Sequence, residues 1–402
     1  MKRRVDALGA KARFFAVALS LALASACPFS TALNAYELNR TVPDKRNAAN
    51  AALGTCPQLD HFDTTINGGI DRGWNTTIGA NIRTLAGQTI SDVRGVVNRS
   101  FEAWTGVPFT SLTPAALGTL NESSSATCSS LDGLNTICFA QNDPGFTSGV
   151  LAFTLTVTSD VLGETYGSPA QQASFIGEIL DADILVNPNS NFSTPSQLAA
   201  NPSTFDLESV LTHEVGHMFG LSHSGVWRAM MFPFAPFPGS FLGQRSSPSV
   251  PDGPLADDDR AGLRTLYPEA GNTTHVGVIS GRILPVNPLS LADQPGVTGI
   301  FGGHVVAVDM MTGAVMGAAL SGWSCSGAGP VVFDGSYRIE HLPVDRSYKI
   351  YVEPYDGPVP ISSITNALDS ICRPYTSDGP YPAQFSCTRP QVFTNFVTRV
   401  KP

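Results

Sequence analysis

Charge is scarce in this chain of 402 residues. Only 14% of it is charged, with 24 basic against 33 acidic side chains and a formal charge of −9. That balance supplies no broad basic surface, which argues against a nucleic-acid partner. Long apolar runs are missing as well. The run from Phe14 to Ala26 has thirteen residues, short of the roughly 20 that a membrane-spanning helix needs. None of the seven cysteines is spaced Cys-x-x-Cys, so a cysteine zinc ribbon is excluded. Histidine is rarer still than its count of seven suggests, because three fall in one stretch of eleven residues and only His61, His275, His304 and His341 lie elsewhere.

Glycine and proline are plentiful instead, at 38 and 30 residues, and 42% of the chain is hydrophobic. The length suffices for two domains, and the texture suits a loop-rich extracellular protein. Lys2, Arg3, Arg4, Lys11 and Arg13 precede the short apolar run, and Ala24-Ser25-Ala26 follows it. Residues 1–26 therefore read as a secretory signal peptide, with a second cleavage position near Ala35. Export is the expected localisation. Lipid anchoring at Cys27 and periplasmic retention are the alternatives, although Ala24 stands where a lipoprotein signal usually has Leu. Without Cys27 six cysteines remain, an even number that suits disulfides in an oxidising compartment. Cys128 and Cys138 are near neighbours, and one pair is expected among Cys325, Cys372 and Cys387.

Residues 27–60 form a polar N-terminal segment without clear periodicity. Val93, Val96, Val97, Phe101 and Trp104 recur at helical spacing, which predicts an amphipathic helix over 91–104. Strands are expected at 135–140, 150–157 and 182–187. A helix is expected from Asp206, which can cap it, to Phe219, with Gly220 ending it. Residues 234–255 are a Pro/Ser/Gly-rich loop, and 257–267 a closing helix. After a linker at 268–274 the pattern changes to short alternating strands, as at 276–283, 304–308 and 348–352. Residues 275–402 thus read as an all-β domain.

The stretch 213–223 reads His-Glu-Val-Gly-His-Met-Phe-Gly-Leu-Ser-His. Residues four apart share one helix face, so His213 and His217 can aim ring nitrogens at one point. Gly220 lets the chain turn off the helix axis, and His223 can then return to that point from outside. Three nitrogens with a fourth position open form a catalytic zinc site rather than a closed structural one. Glu214 flanks the ion and can take a proton from the attacking water. An ordinary helix with surface histidines is the bland alternative, and the added Gly and third His count against it.

These residues resemble the zinc motif of the metzincin metallopeptidases, and of their matrixin branch in particular. Ser224 after the third histidine fits that branch. Ala229-Met-Met-Phe-Pro233 resembles its methionine turn, and Asp258 to Tyr267 its closing helix. Ser100 to Trp104 and Asp183-Ile are weaker points of likeness. The resemblance covers about residues 61–270. It implies an α+β catalytic domain, with a twisted mixed sheet, helices, and one catalytic Zn2+ in a cleft. It makes Met231 a hydrophobic floor under the metal and not a ligand. It also implies an extended peptide lying antiparallel to the edge strand, with 234–255 walling the pocket beyond the scissile bond. Calcium is compatible with it, although no calcium ligands can be assigned.

Three departures stand out. Phe232 occupies the place of the family's Tyr. No second histidine cluster exists for a structural zinc. No cysteine-switch pro-segment is evident: Cys56 could serve as a latent thiolate, but a disulfide is the plainer reading. The tail resembles a carboxypeptidase-regulatory-like or transthyretin-like β-sandwich, through Gly277–Ile283, Asp309–Gly313 and Asp334–Pro343. Such a domain implies no chemistry by itself, and cell-surface or matrix contact is its expected role.

The expectation is an exported zinc endopeptidase acting on protein or peptide, with His213, His217 and His223 as ligands and Glu214 as general base. The alternatives are a surface adhesion protein on an inactive metzincin fold, and a zinc hydrolase of non-protein substrates.

Overall fold

The computed structural model describes residues 58–63, 90–112, 135–138, 143–146, 149–167, 171–194, 202–224, 229–239, 254–271, 275–286, 298–300, 303–322 and 334–354. Leu38, Arg40, Thr41, Ser324 and three short strands at 17–20, 76–79 and 121–123 are also described. The expectations for Cys27, Cys56, Cys128, Cys325, Cys372, Cys387 and the loop 240–253 lie outside these residues. Cys138 is disulfide-bonded.

Six strands form one mixed sheet: β1 (Val17–Ser20), β2 (Thr76–Gly79), β3 (Asn121–Ser123), β4 (Asn135–Cys138), β5 (Val150–Thr158) and β6 (Ile179–Val186). Their spatial order is β1-β5-β6-β4-β2-β3. β6, β4, β2 and β3 run parallel, while β5 is antiparallel to both β6 and β1. β6 sits inside the sheet, and all eight of its residues are buried. β1 falls within the segment expected as a signal peptide and pairs along β5.

Helix α1 (Ile90–Thr105) is amphipathic as its spacing predicts, and Val93, Val96, Val97, Phe101 and Trp104 are all buried. Each such side chain contributes about 1.5–3 kcal/mol by leaving water. Helix α2 (Leu207–Met218) packs against α1. The two are also joined by polar bonds. The Trp104 Nε1 donates to the Thr212 carbonyl at 2.8 Å, and the Arg99 guanidinium holds the buried Glu208 carboxylate at 2.6 and 2.8 Å. A charge as deeply placed as Glu208 requires such a partner.

Helix α3 (Asp257–Leu266) follows, then five strands: β7 (Val276–Arg282), β8 (Gly303–Asp309), β9 (Val315–Leu320), β10 (Ser336–Pro343) and β11 (Tyr348–Pro354). β7 pairs with β10, and β8 lies between β9 and β11, all antiparallel. Val305, Ala307, Met316, Ile339 and Leu342 form a buried cluster drawn from both sheets. β9 and β10 also pack on α3.

Two boundaries differ from the sequence reading. Leu38 bridges to Leu221, and Arg40–Thr41 pairs with Gln58–Leu59, so parts of the polar segment 27–60 belong to the body of the sheet region. The start of the linker is tied down as well. Pro268 bridges to Thr110, and the Glu269 N–H donates to the Phe109 carbonyl at 3.3 Å.

Candidate metal centre

Asp206 starts the key helix as its sequence predicts, with its carboxylate accepting the Glu208 N–H at 3.1 Å. One face of α2 then carries His213 and His217. Their Nδ1 atoms lie 2.7 Å from the Met230 carbonyl and 2.8 Å from the Leu221 carbonyl. A carbonyl only accepts, so both Nδ1 atoms carry the proton and both Nε2 atoms carry the lone pair.

The chain leaves the helix at Gly220, whose φ is +98°. A Cβ there would lie 2.0 Å from the Asp60 carbonyl oxygen, so both conformation and space demand glycine. The turn returns His223 to the pair. One ligand atom from each of His213, His217 and His223 lies within 4.8 Å of the others, and this is the metal-binding group found among the described residues. His304 lies buried in β8 and His341 half-buried in β10, and neither belongs to it.

The arrangement fits a cation. The Nε2 atoms of His213 and His217 stand 3.0 Å apart, lone pair facing lone pair. Both ring nitrogens of buried His223 lack a hydrogen-bond partner among the described residues. Such an array is unfavourable unless a positive ion sits within it. Tetrahedral zinc with bonds of about 2.0–2.1 Å places its nitrogens roughly 3.3 Å apart, close to the separation seen. Burial lowers the His213 pKa to about 4 and, with the neighbouring imidazoles, holds His217 and His223 well below their usual value. All three rings are therefore neutral near pH 7, the form that binds metal.

Met231 is fully buried beside this group. A Cβ on Gly216 would come 2.3 Å from its Sδ and 2.7 Å from Trp104, so the glycine inside the histidine motif makes room for the methionine. The turn is held by Asp259, whose carboxylate accepts the N–H groups of Met230, Met231 and Ala256 at 2.7, 3.1 and 2.8 Å. Burial pushes the Asp259 carboxyl up to about 6 against the pull of those three bonds. Ser224 links its own loop to the turn, donating through N–H to the Met231 carbonyl at 2.6 Å and through its hydroxyl to Asp258 at 2.7 Å. Tyr267 donates to the Phe219 carbonyl at 2.8 Å and so steadies the end of α2.

Glu214 is wholly buried between the first two ligands. Its Oε2 accepts the Thr154 hydroxyl at 2.7 Å, while Oε1 has no hydrogen-bond partner among the described residues. Burial pushes this carboxyl up to about 8, partly opposed by the Thr154 bond. Sequence reasoning named His213, Glu214, His217, His223 and Met231; the structure groups the three histidines, with Glu214 on the same helix and Met231 against Gly216. It missed Thr154, and it quoted Asp258 and Asp259 only as part of a closing helix. The paired aspartates ahead of Gly262 were a usable signal, whereas Thr154 left none beyond its place in a strand.

Residues 161–268 match the family described as Matrixin. A stretch of 65 residues is 45% identical to a protein of Glycine max named Metalloendoproteinase 1, covering 16% of this chain and 18% of that protein. Both findings support a metallopeptidase region of matrixin type, and the family matched uses zinc. No helix among the described residues is long and apolar enough to cross a membrane.

Proposed function

We propose that the chain is an exported zinc endopeptidase. The observation that carries this reading is the convergence of three neutral imidazoles on one point, with the Oε1 of Glu214 unpartnered beside them. His213, His217 and His223 would hold the ion. Zinc in such a site supplies a Lewis acid that polarises a carbonyl and makes water more acidic near neutral pH. With a cation held by the three imidazoles, the Glu214 carboxyl would be pulled back down toward its ionised form, and the carboxylate would then take the proton of the attacking water and later return it to the leaving amine. Met231 and the Asp259-held turn keep His213 in position through the Met230 carbonyl.

Substrate would lie along β5. The segment Val17–Ser20 runs antiparallel along that strand, with Val17 opposite Thr154, which supports the edge as a place for extended chain. Residues 275–402 would form a β-sandwich domain for surface or matrix contact, with residues 61–270 as the catalytic domain and residues 1–26 as the leader. The two antiparallel sheets and their shared cluster support that division.

The test is zinc content and casein or gelatin cleavage, run for the parent and Glu214→Gln. The expected outcome is about one zinc per chain in both and cleavage by the parent alone. Zinc in both with cleavage by neither would favour the adhesion reading, and a folded parent without zinc would overturn the proposal.

A further inference from the structure

Among the described residues, Thr154 is the polar side chain bonded to the Glu214 carboxylate. It sits in the middle of β5, is 1% exposed, and faces α2, while its neighbours Phe153 and Leu155 pack with Phe146 in a separate cluster. Its hydroxyl lies 2.7 Å from Oε2 and 3.0 Å from the peptide oxygen of the same glutamate. Backbone and carboxylate of Glu214 are thus both within reach of one atom. That atom belongs to a β-branched side chain, stiff at χ1, on a strand paired along the length of β6. A flexible carboxylate with one oxygen anchored on so rigid a point keeps its other oxygen in a fixed place.

We infer that Thr154 is a positioning residue, which anchors Oε2 of Glu214 so that Oε1 is the oxygen that exchanges the proton. The inference rests on the peptidase reading for its kinetic consequence, and on geometry alone for its structural one. Without the hydroxyl the carboxylate gains rotamers, and only a fraction of them presents an oxygen to the attacking water. A hydrogen bond to a charged group is worth about 1.5–3 kcal/mol, which corresponds to roughly a ten- to hundredfold effect on rate.

The variants are Thr154→Val, which keeps the branched shape, and the pair Thr154→Ser and Thr154→Ala, which differ by one hydroxyl. The expected result is a kcat about ten- to a hundredfold lower for Val, with KM and zinc content unchanged and Ser close to the parent. Parental kcat in Thr154→Val overturns the inference, as does loss of zinc together with activity. If Val does not fold, Ser and Ala decide: a lower kcat in Ala than in Ser supports the inference, and equal kcat overturns it. A crystal structure of metal-free Thr154→Val separates this question from the peptidase reading. Several Glu214 rotamers there support the anchor even if no peptide is cleaved, and an unmoved Glu214 removes it.

Discussion

The two halves of the described structure bury very different things. Around the triad, Glu208, Ser209, Thr212, His213, Glu214, His217, Ser222, His223, Ser224, Asp258 and Asp259 are all buried. In and just beside the five strands after α3, the buried polar side chains among the described residues are His304, Asp309 and Ser321. Burial of polar groups costs stability unless partners are found. The first half meets that cost with the Asp259 and Thr154 bonds, and leaves His223 and one oxygen of Glu214 unsatisfied. The second half is held by apolar residues such as Val305, Ile339 and Leu342. One region is organised around a task and the other around its own packing.

The most forceful way to break this comparison is to exchange histidines. His223→Ala should abolish zinc retention, read by metal analysis of the purified protein. His304→Ala should cost stability yet leave zinc in place, and loss of zinc there would place the comparison in error.

Next in size is a pH effect on the metal-free protein. The Glu214 carboxyl rises from 4.5 to about 8 on folding. Its proton favours the native state, so this stability is complete below pH 4.5 and is lost as pH climbs to about 8. Glu214→Gln removes the dependence. Metal-free Glu214→Gln should therefore gain on the parent between pH 5 and 8, by an amount on the order of a few kcal/mol. Parallel pH–stability curves would contradict it, and the shared histidines cancel in the difference.

Asp259→Ala deprives three N–H groups, two of them buried, of their acceptor. A loss of about 2–3 kcal/mol is expected in denaturant melts, with weaker zinc binding because Met230 no longer holds His213. Gly216→Ala should cost about 1–3 kcal/mol through collision with Met231. Gly317→Ala in β9, where the nearest atoms stand at 3.2 Å, should cost less. The smallest effect is expected on the surface of the second region: Met311→Thr, at a residue 90% exposed, should stay within about 0.5 kcal/mol.

Sequence legibility followed the same division. The triad could be read because its spacing is local: two residues one helical turn apart and a glycine-led return. Helix α1 could be read because five apolar residues share one face. Strands β5 and β6 were visible as apolar runs. β2 and β3 were not, because Thr76–Gly79 and Asn121–Ser123 contain a single apolar residue, Ile78, between them. β9 reads Val-Met-Gly-Ala-Ala-Leu, which has no alternation to betray a strand. The supports of the site come from far along the chain. Thr154 is 60 residues from Glu214, and Asp259 is 29 from Met230. Only the sheet order and the seating of α3 bring them to the histidine triad, and no local pattern records either.

Helix α3 has a further consequence for how the molecule comes apart. Its acidic first turn grips the methionine turn, while Ala261 on the same short helix lies 3.5 Å from where a Cβ on Gly317 would stand. This ten-residue helix packs on both regions and so couples them. Melting of the sheet region and of the strands beyond α3 should therefore coincide in one cooperative transition, so that calorimetry of the intact chain shows a single peak.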